Sequence, residues 1–340
     1  MTTLSQVKPA VDVTTTDSSE VRMLVNVVSG GHEFVIETRN IHGVYQIAKD
    51  QLGKDLMVVE TPEGELPLLS LADVLSEELE MPVEGTDTER ALVVIEHKGE
   101  IAAIRVGSAS RPIEIESTSF FGLPRVAHVN DTNNLIHATA VLDWENEDPN
   151  EAIRLVVDPL AVFGFRESAD VVSRPVTALA DDAANVKANH GQGQILAFSP
   201  ENVSRSEVDY VFCLPLSGVA EVISAHNAME MPFKSSVFQG FILWRNQPVP
   251  IVNLGEAFGQ KTIAELKQRD RLRARRLIIA RASGGRYVGF YTQKQMHSMK
   301  TPVASPIEFD SLKNAPYFGA FETEFGAMVV PDLSRILDNN

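Results

Sequence analysis

Apolar positions in this chain come in short runs rich in Val, Ile, Phe and Tyr, with turn-forming residues between them. Such runs at Met23–Val28, Glu33–Glu37, Leu92–Glu96, Ile101–Val106, Val211–Leu214, Leu277–Arg281 and Tyr287–Tyr291 predict β-strands. The pairs 92–96/101–106 and 277–281/287–291 have hairpin spacing across Gly-containing turns. Pro67 and Pro250 precede strand-like residues, which predicts a strand start or edge there. After them, Ser70-x-x-Asp73 and Asn253-x-x-Glu256 have the form of helix N-terminal boxes. Many short strands with few helices predict small barrels or sandwiches.

The pattern repeats. Residues 66–75 read LPLLSLADVL and residues 249–258 read VPIVNLGEAF, matched in chemical type along their length. Leu92-Val93-Val94 then answers to Leu277-Ile278-Ile279 at nearly the same offset. This period is too long for a solenoid unit, so the chain is read as two copies of one domain. At 340 residues it has enough length for two cores. We expect a disordered tail over 1–20, rich in Thr, Ser and Asp. The first repeat is expected over 21–165, a linker over 166–192 with a short helix in LADDAANVKA, and the second repeat over 193–338.

Charge separates the copies. Residues 21–165 hold 10 Lys and Arg against 25 Asp and Glu, whereas residues 193–338 hold 16 against 14. The difference concentrates in one equivalent stretch. Residues 76–89 carry Glu77, Glu78, Glu80, Glu84, Asp87 and Glu89, and residues 267–276 carry Lys267, Arg269, Arg271, Arg273, Arg275 and Arg276. Arg271, Arg273, Arg275 and Arg276 are candidates for a charged interface loop; the two loops could attract each other within the chain or between neighbouring chains, giving self-association, against independent solvation of each or an acidic partner for the basic run. The basic run lacks interleaved aromatics and the chain as a whole is acidic, which disfavours nucleic acid as its partner.

No chemistry of an enzyme assembles from the sequence. Gly191-Gln192-Gly193 lacks a third glycine and a preceding strand, so it is no nucleotide loop. The eight histidines show no ligand spacing, and His32-Glu33 has no second histidine at helical distance. The lone Cys213 lies in an apolar strand and is expected to be a small buried residue. No nucleophile, base and orienting group come together. No catalytic residue, metal or cofactor is therefore expected. One cysteine, no secretory leader and no membrane-length apolar run predict a cytoplasmic protein without membrane insertion.

The segment Phe212-Cys213-Leu214-Pro215-Leu216-Ser217-Gly218-Val219-Ala220-Glu221-Val222 carries a V-x-E-V strand. After it comes Gly240-Phe241-Ile242-Leu243-Trp244-Arg245-Asn246-Gln247-Pro248-Val249-Pro250-Ile251-Val252-Asn253-Leu254. Together with Met328-Val329-Val330-Pro331-Asp332-Leu333, these resemble the CheW family of bacterial chemotaxis coupling proteins, over all of the second repeat and more weakly over the first. The resemblance implies a mainly β fold, each repeat two small five-stranded SH3-like β-barrels packed side by side with a few short helices. It implies a non-enzymatic adaptor between the cytoplasmic tip of a chemoreceptor and the regulatory domain of a CheA-type histidine kinase, in chemotaxis, phototaxis or pilus motility. Such an adaptor would be recruited to membrane-bound receptor arrays.

Carried over by position, the resemblance places Val219 and Glu221 on a receptor-facing strand. Two apart, they are expected on one face. It places Arg245 at a nearby turn. Trp244, and with it Phe241, is a candidate exposed anchor, against a core role for at least one of them. The alternative for Glu221 and Arg245 is a pair that braces two strands. Asn246 stands where the family has glycine, Asn253 where it has aspartate, and Thr292 where another aspartate is expected. In the first repeat Gly43 occupies the place of Glu221 and Pro62 that of Arg245. That loss favours a competing reading, a regulatory or localisation scaffold that no longer couples receptor to kinase.

Overall fold

The structure is a computed structural model. It describes residues 5–7, 21–47, 57–79, 81, 90–128, 135–146, 148–164, 193–200, 210–224, 227–229, 231–233, 235–260, 275–302, 304–309 and 312–338. The expected linker 166–192 lies outside them. The fold is mainly β. The chain divides into two compact units. One is Met1–Leu123 with His128–Ser173 and Pro232–Lys234; the other is Pro124–Ala127 with Arg174–Met231 and Ser235–Asn340.

The first unit runs β1 (Ser5–Val7), β2 (Val21–Ser29), β3 (His32–Glu37), β4 (Ile41–Gln46), β5 (Val58–Thr61), β6 (Gly64–Ser70) and α1 (Leu71–Leu79). It continues with β7 (Ala91–His97), β8 (Glu100–Val106), β9 (Ser108–Glu116), β10 (Phe120–Gly122), β11 (Ile136–Val141), α2 (Pro149–Ala152), β12 (Ile153–Val157) and α3 (Pro159–Val162). Its strands form two sheets, β1-β4-β7-β8-β6-β5 and β10-β11-β12-β3-β2-β9.

The second unit runs β13 (Gln194–Pro200), β14 (Tyr210–Pro215), β15 (Val219–Ser224), β16 (Phe238–Trp244), β17 (Gln247–Val252) and α4 (Leu254–Ala257). There follow β18 (Arg275–Arg281), β19 (Tyr287–Lys300), β20 (Ser305–Ile307), β21 (Tyr317–Thr323), β22 (Gly326–Pro331) and α5 (Leu333–Asp338). Here β15-β18-β19-β17-β16 repeats the order β4-β7-β8-β6-β5, and β21-β22-β14-β13-β19 repeats β11-β12-β3-β2-β9. The long β19 serves both sets; in the first unit the same path breaks into β8 and β9 at Gly107.

Ladder register makes the correspondence residue by residue. Val58 lies opposite Pro67 and Phe241 opposite Pro250. Tyr45 lies opposite Leu92 and Ile223 opposite Leu277. The equivalent buried cores share Leu66/Val249, Leu68/Ile251, Leu92/Leu277 and Val94/Ile279. The helix boxes are real: Ser70 Oγ accepts from the Asp73 N–H at 3.2 Å, and Asn253 Oδ1 from the Glu256 N–H at 3.3 Å. Each satisfies a donor that helix geometry leaves free. Cys213 is buried in the second unit, and burial pushes its thiol up to about 11.

Several expectations need correction. Of the expected tail 1–20 only Ser5–Val7 is described, and it forms a short antiparallel strand on the outer side of β4. A strand edge offers unpaired N–H and C=O groups to any extended segment, whatever its composition. Pro67 and Pro250 lie inside β6 and β17, not at their starts. The parallel partners β8 and β19 begin only after them, at Leu68 and Ile251, so no ladder bond to those strands is demanded of either proline. Glu77 and Glu78 belong to helix α1 and Arg275 and Arg276 to strand β18, so neither pair is in a loop. The rest of both charged runs lies outside the described residues.

Candidate functional site

The Glu–Arg pair of the second unit sits where β15 meets the β16–β17 hairpin. Arg245 and Asn246 form the hairpin turn, with φ of +48° and +58°. Two consecutive left-handed residues suit the turn whose twist matches its strands. Asn tolerates that backbone well and Arg less so, so Arg245 carries a modest strain. In return the turn delivers the guanidinium across to β15. Arg245 Nη2 donates to Glu221 Oε2 at 3.1 Å. Its Cζ lies 4.7 Å from the centre of the Trp244 ring, a cation–π contact. Trp244 Nε1–H donates to the same Oε2 at 2.9 Å, and the indole packs edge-on to Tyr287 at 4.9 Å.

One carboxylate oxygen therefore holds a buried donor and an exposed cation. Trp244 is 8% exposed and belongs to the core; Phe241 is 2% exposed. Neither is an exposed anchor. Glu221 and Arg245 reach solvent, with side chains 38% and 67% exposed. Val219 and Glu221 do not share a face. The register shifts between them, with Val219 opposite Ala280 and Glu221 opposite Ile279. Neighbours on β18 point to opposite sides, so the partners do too. Glu221 points with Ile279 and Leu277 toward the core and reaches its mouth at Trp244; Val219 faces the other way.

The same corner of the first unit is built from other residues. The register puts Gly43 opposite Val94, where Glu221 stands opposite Ile279, and it shifts at the same point, between Ile41 and Gly43. The turn Pro62–Glu63 replaces Arg245–Asn246. A Cβ at Gly43 would lie 2.9 Å from Cε2 of Tyr45, so the phenol covers the space that a side chain would need. The Tyr45 hydroxyl donates to Glu63, and His42 lies 3.6 Å from Glu63 and 3.4 Å from Glu96. Burial raises the Glu63 carboxyl. Hydrogen bonds from Tyr45, Thr61 and its own backbone, with His42 nearby, outweigh this and hold it below the usual range.

Sequence reasoning missed this cluster and Tyr287. Setting Thr61-Pro62-Glu63 against Trp244-Arg245-Asn246 would have exposed the carboxylate in the turn. Asn253 caps α4, and Thr292 is buried with its hydroxyl donating to Met296 Sδ at 3.7 Å, so both departures serve local structure. Among the described residues no group of His, Cys, Asp and Glu could hold a metal ion. No helix among them is long and apolar enough to cross a membrane. Arg271 and Arg273 lie outside the described residues; Arg275 opens β18 opposite Gln293, and Arg276 follows opposite Ser224 and Thr292.

Residues 205–340 match the family described as the CheW-like domain. No curated protein matches the chain. Among solved structures it is similar to the scaffolding protein TtCheW from Thermoanaerobacter tengcongensis. That match has 18% identity and a TM-score of 0.36, and covers 44% of this chain and 95% of that one.

Proposed function

We propose that the protein is a non-enzymatic adaptor whose second repeat couples a chemoreceptor tip to the regulatory domain of a CheA-type histidine kinase. The observation that supports it most is the CheW-like domain over 205–340 together with the solvent-facing Glu221–Arg245 pair. A carboxylate and a guanidinium side by side suit polar contacts to a helical receptor tip, and charge-assisted bonds are the stronger ones. Trp244 holds the pair from beneath. Val219, on the opposite face of β15, is left free for a different contact. The stretch 166–192 is the tether, and recruitment to receptor arrays follows from the coupling.

A second reading is a scaffold that localises components without coupling receptor to kinase. The first repeat favours it, because Gly43 and Pro62 remove both charged groups. Co-purification of the full chain with kinase regulatory-domain and receptor-tip fragments separates the two. Coupling predicts that both fragments are retained and that Arg245→Glu releases the receptor fragment. Retention of neither, or release unaffected by the variant, supports the second reading.

A further inference from the structure

Strands β4 and β15 are the same edge of the same fold, and they differ in what lies outside them. β4 pairs with β7 on its inner side and with β1 on its outer side, Ser5 opposite Gln46, Gln6 opposite Tyr45 and Val7 opposite Val44. β15 pairs with β18 on its inner side. Among the described residues no strand pairs with its outer side.

The seat that β1 uses on β4 recurs on β15. In both strands the register shifts early, between Ile41 and Gly43 and between Val219 and Glu221, and is regular afterwards. β1 takes only the regular part. By register, Val44, Tyr45 and Gln46 correspond to Val222, Ile223 and Ser224. Valine recurs at the first position, a large strand-former at the second and a short-to-medium polar residue at the third. Val222–Ser224 themselves carry no proline, no charge and no bulge, three of the devices that blunt a strand edge, and Val222 is 39% exposed.

We propose that the outer edge of Val222–Ser224 is a strand-acceptor site whose occupant is the N-terminal segment Ser5–Val7 of a second copy of this chain. It pairs antiparallel, with Ser5 opposite Ser224, Gln6 opposite Ile223 and Val7 opposite Val222. The backbone supplies the affinity, as in other strand additions. Pairing lies in the plane of the sheet and leaves the Glu221–Arg245 pair, which projects from it, accessible. Within one chain the segment is tethered near β4 at an effective concentration on the order of millimolar. Seating on a second copy therefore competes with that seat and fills where copies are crowded, as in an assembly.

Amide NMR of the isotope-labelled full chain tests this. A synthetic peptide of residues 2–12 is titrated to about 5 mM, the range set by the tethered seat. The amides of Val222–Ser224 should shift and saturate, while those of Val44–Gln46 stay still because their seat is filled. In a chain lacking residues 1–12 both sets should shift. A peptide N-methylated at Ser5, Gln6 and Val7 should move neither. Then an unlabelled copy with a spin label at Thr2→Cys, in a Cys213→Ser background, is mixed in at about 0.5 mM, near the competing cis concentration. It should broaden Val222–Ser224 of the labelled copy. Shifts on β4 of the truncated chain without shifts on β15 would overturn the acceptor site. So would shifts on neither strand, or the same shifts with the methylated peptide. Peptide shifts without broadening by the second copy would overturn the assigned occupant.

Discussion

In the second repeat the carboxylate at the hairpin corner stands on the strand, at Glu221, and the cation in the turn, at Arg245. In the first repeat the strand position is Gly43 and the carboxylate stands in the turn, at Glu63. The aromatic that feeds it a proton donor has moved as well, from Trp244 at the end of the hairpin to Tyr45 on the strand. Both corners centre on one carboxylate with a buried aromatic donor, so the fold keeps the interaction while its parts change places. What differs is the face shown to solvent. The second repeat shows a guanidinium 67% exposed; the first buries Glu63 to 15% beneath Tyr45 and His42. A shared backbone thus preserves a brace more readily than a surface, and a contact surface has to be read from the exposed partner.

The comparison can be broken at Gly43. Gly43→Glu, which copies the second repeat, should destabilise the first unit by about 1–3 kcal/mol, because the new side chain meets the Tyr45 ring. Adding Tyr45→Ile, which copies Ile223, should recover much of that loss. Denaturant unfolding with amide exchange assigns the change to its unit. Equal loss with and without the second change would show that the phenol is not what fills the space.

It can be sharpened at Glu221. Glu221→Ala strands the buried Trp244 N–H and should cost the second unit about 1–2 kcal/mol. Tyr45→Phe should cost the first unit about 1 kcal/mol, the usual worth of one hydrogen bond. The two units should respond separately.

Acid gives a smaller effect with a definite sign. Glu63 has a folded-state pKa below its unfolded value, so its contribution is present above the ordinary carboxylate range and is lost as pH falls through the folded value. Tyr45→Phe removes a cause of that depression. The stability lost to Tyr45→Phe should then be largest near neutral pH and shrink as pH falls through the carboxylate range, with the second unit unchanged. An unaltered acid limb would mean that Tyr45 does not hold the carboxylate.

Strands, the two hairpins and the residue equivalences between the repeats were legible in the sequence. Matching apolar runs such as LPLLSLADVL and VPIVNLGEAF encode the shared core directly, and Ser70 and Asn253 announce their helices because short polar side chains cap free N–H groups. The pairings of Gly43 with Glu221 and of Pro62 with Arg245 were legible for the same reason. Three things were not. The register shift that turns Val219 away from Glu221 leaves no compositional mark, since an extra residue in a strand looks like any other. Burial of Trp244 depends on Tyr287, more than forty positions away in sequence. The Tyr45–Glu63 contact joins residues whose counterparts, Ile223 and Asn246, make no such bond, so the repeat itself hid it.

The central claim is that the solvent-facing corner of the second repeat, and not that of the first, carries partner contact. The most direct test is the affinity of the full chain for a receptor-tip fragment, in Arg245→Ala beside Glu63→Ala. Arg245 is largely exposed, so its removal should change folding stability by no more than about 1 kcal/mol. A charged contact desolvated in a complex is worth about 1.5–3 kcal/mol, so Arg245→Ala should weaken binding roughly 10-fold or more. Glu63→Ala should bind as the unaltered chain does. Undiminished binding by a folded Arg245→Ala protein, or a loss found only in Glu63→Ala, would contradict the account.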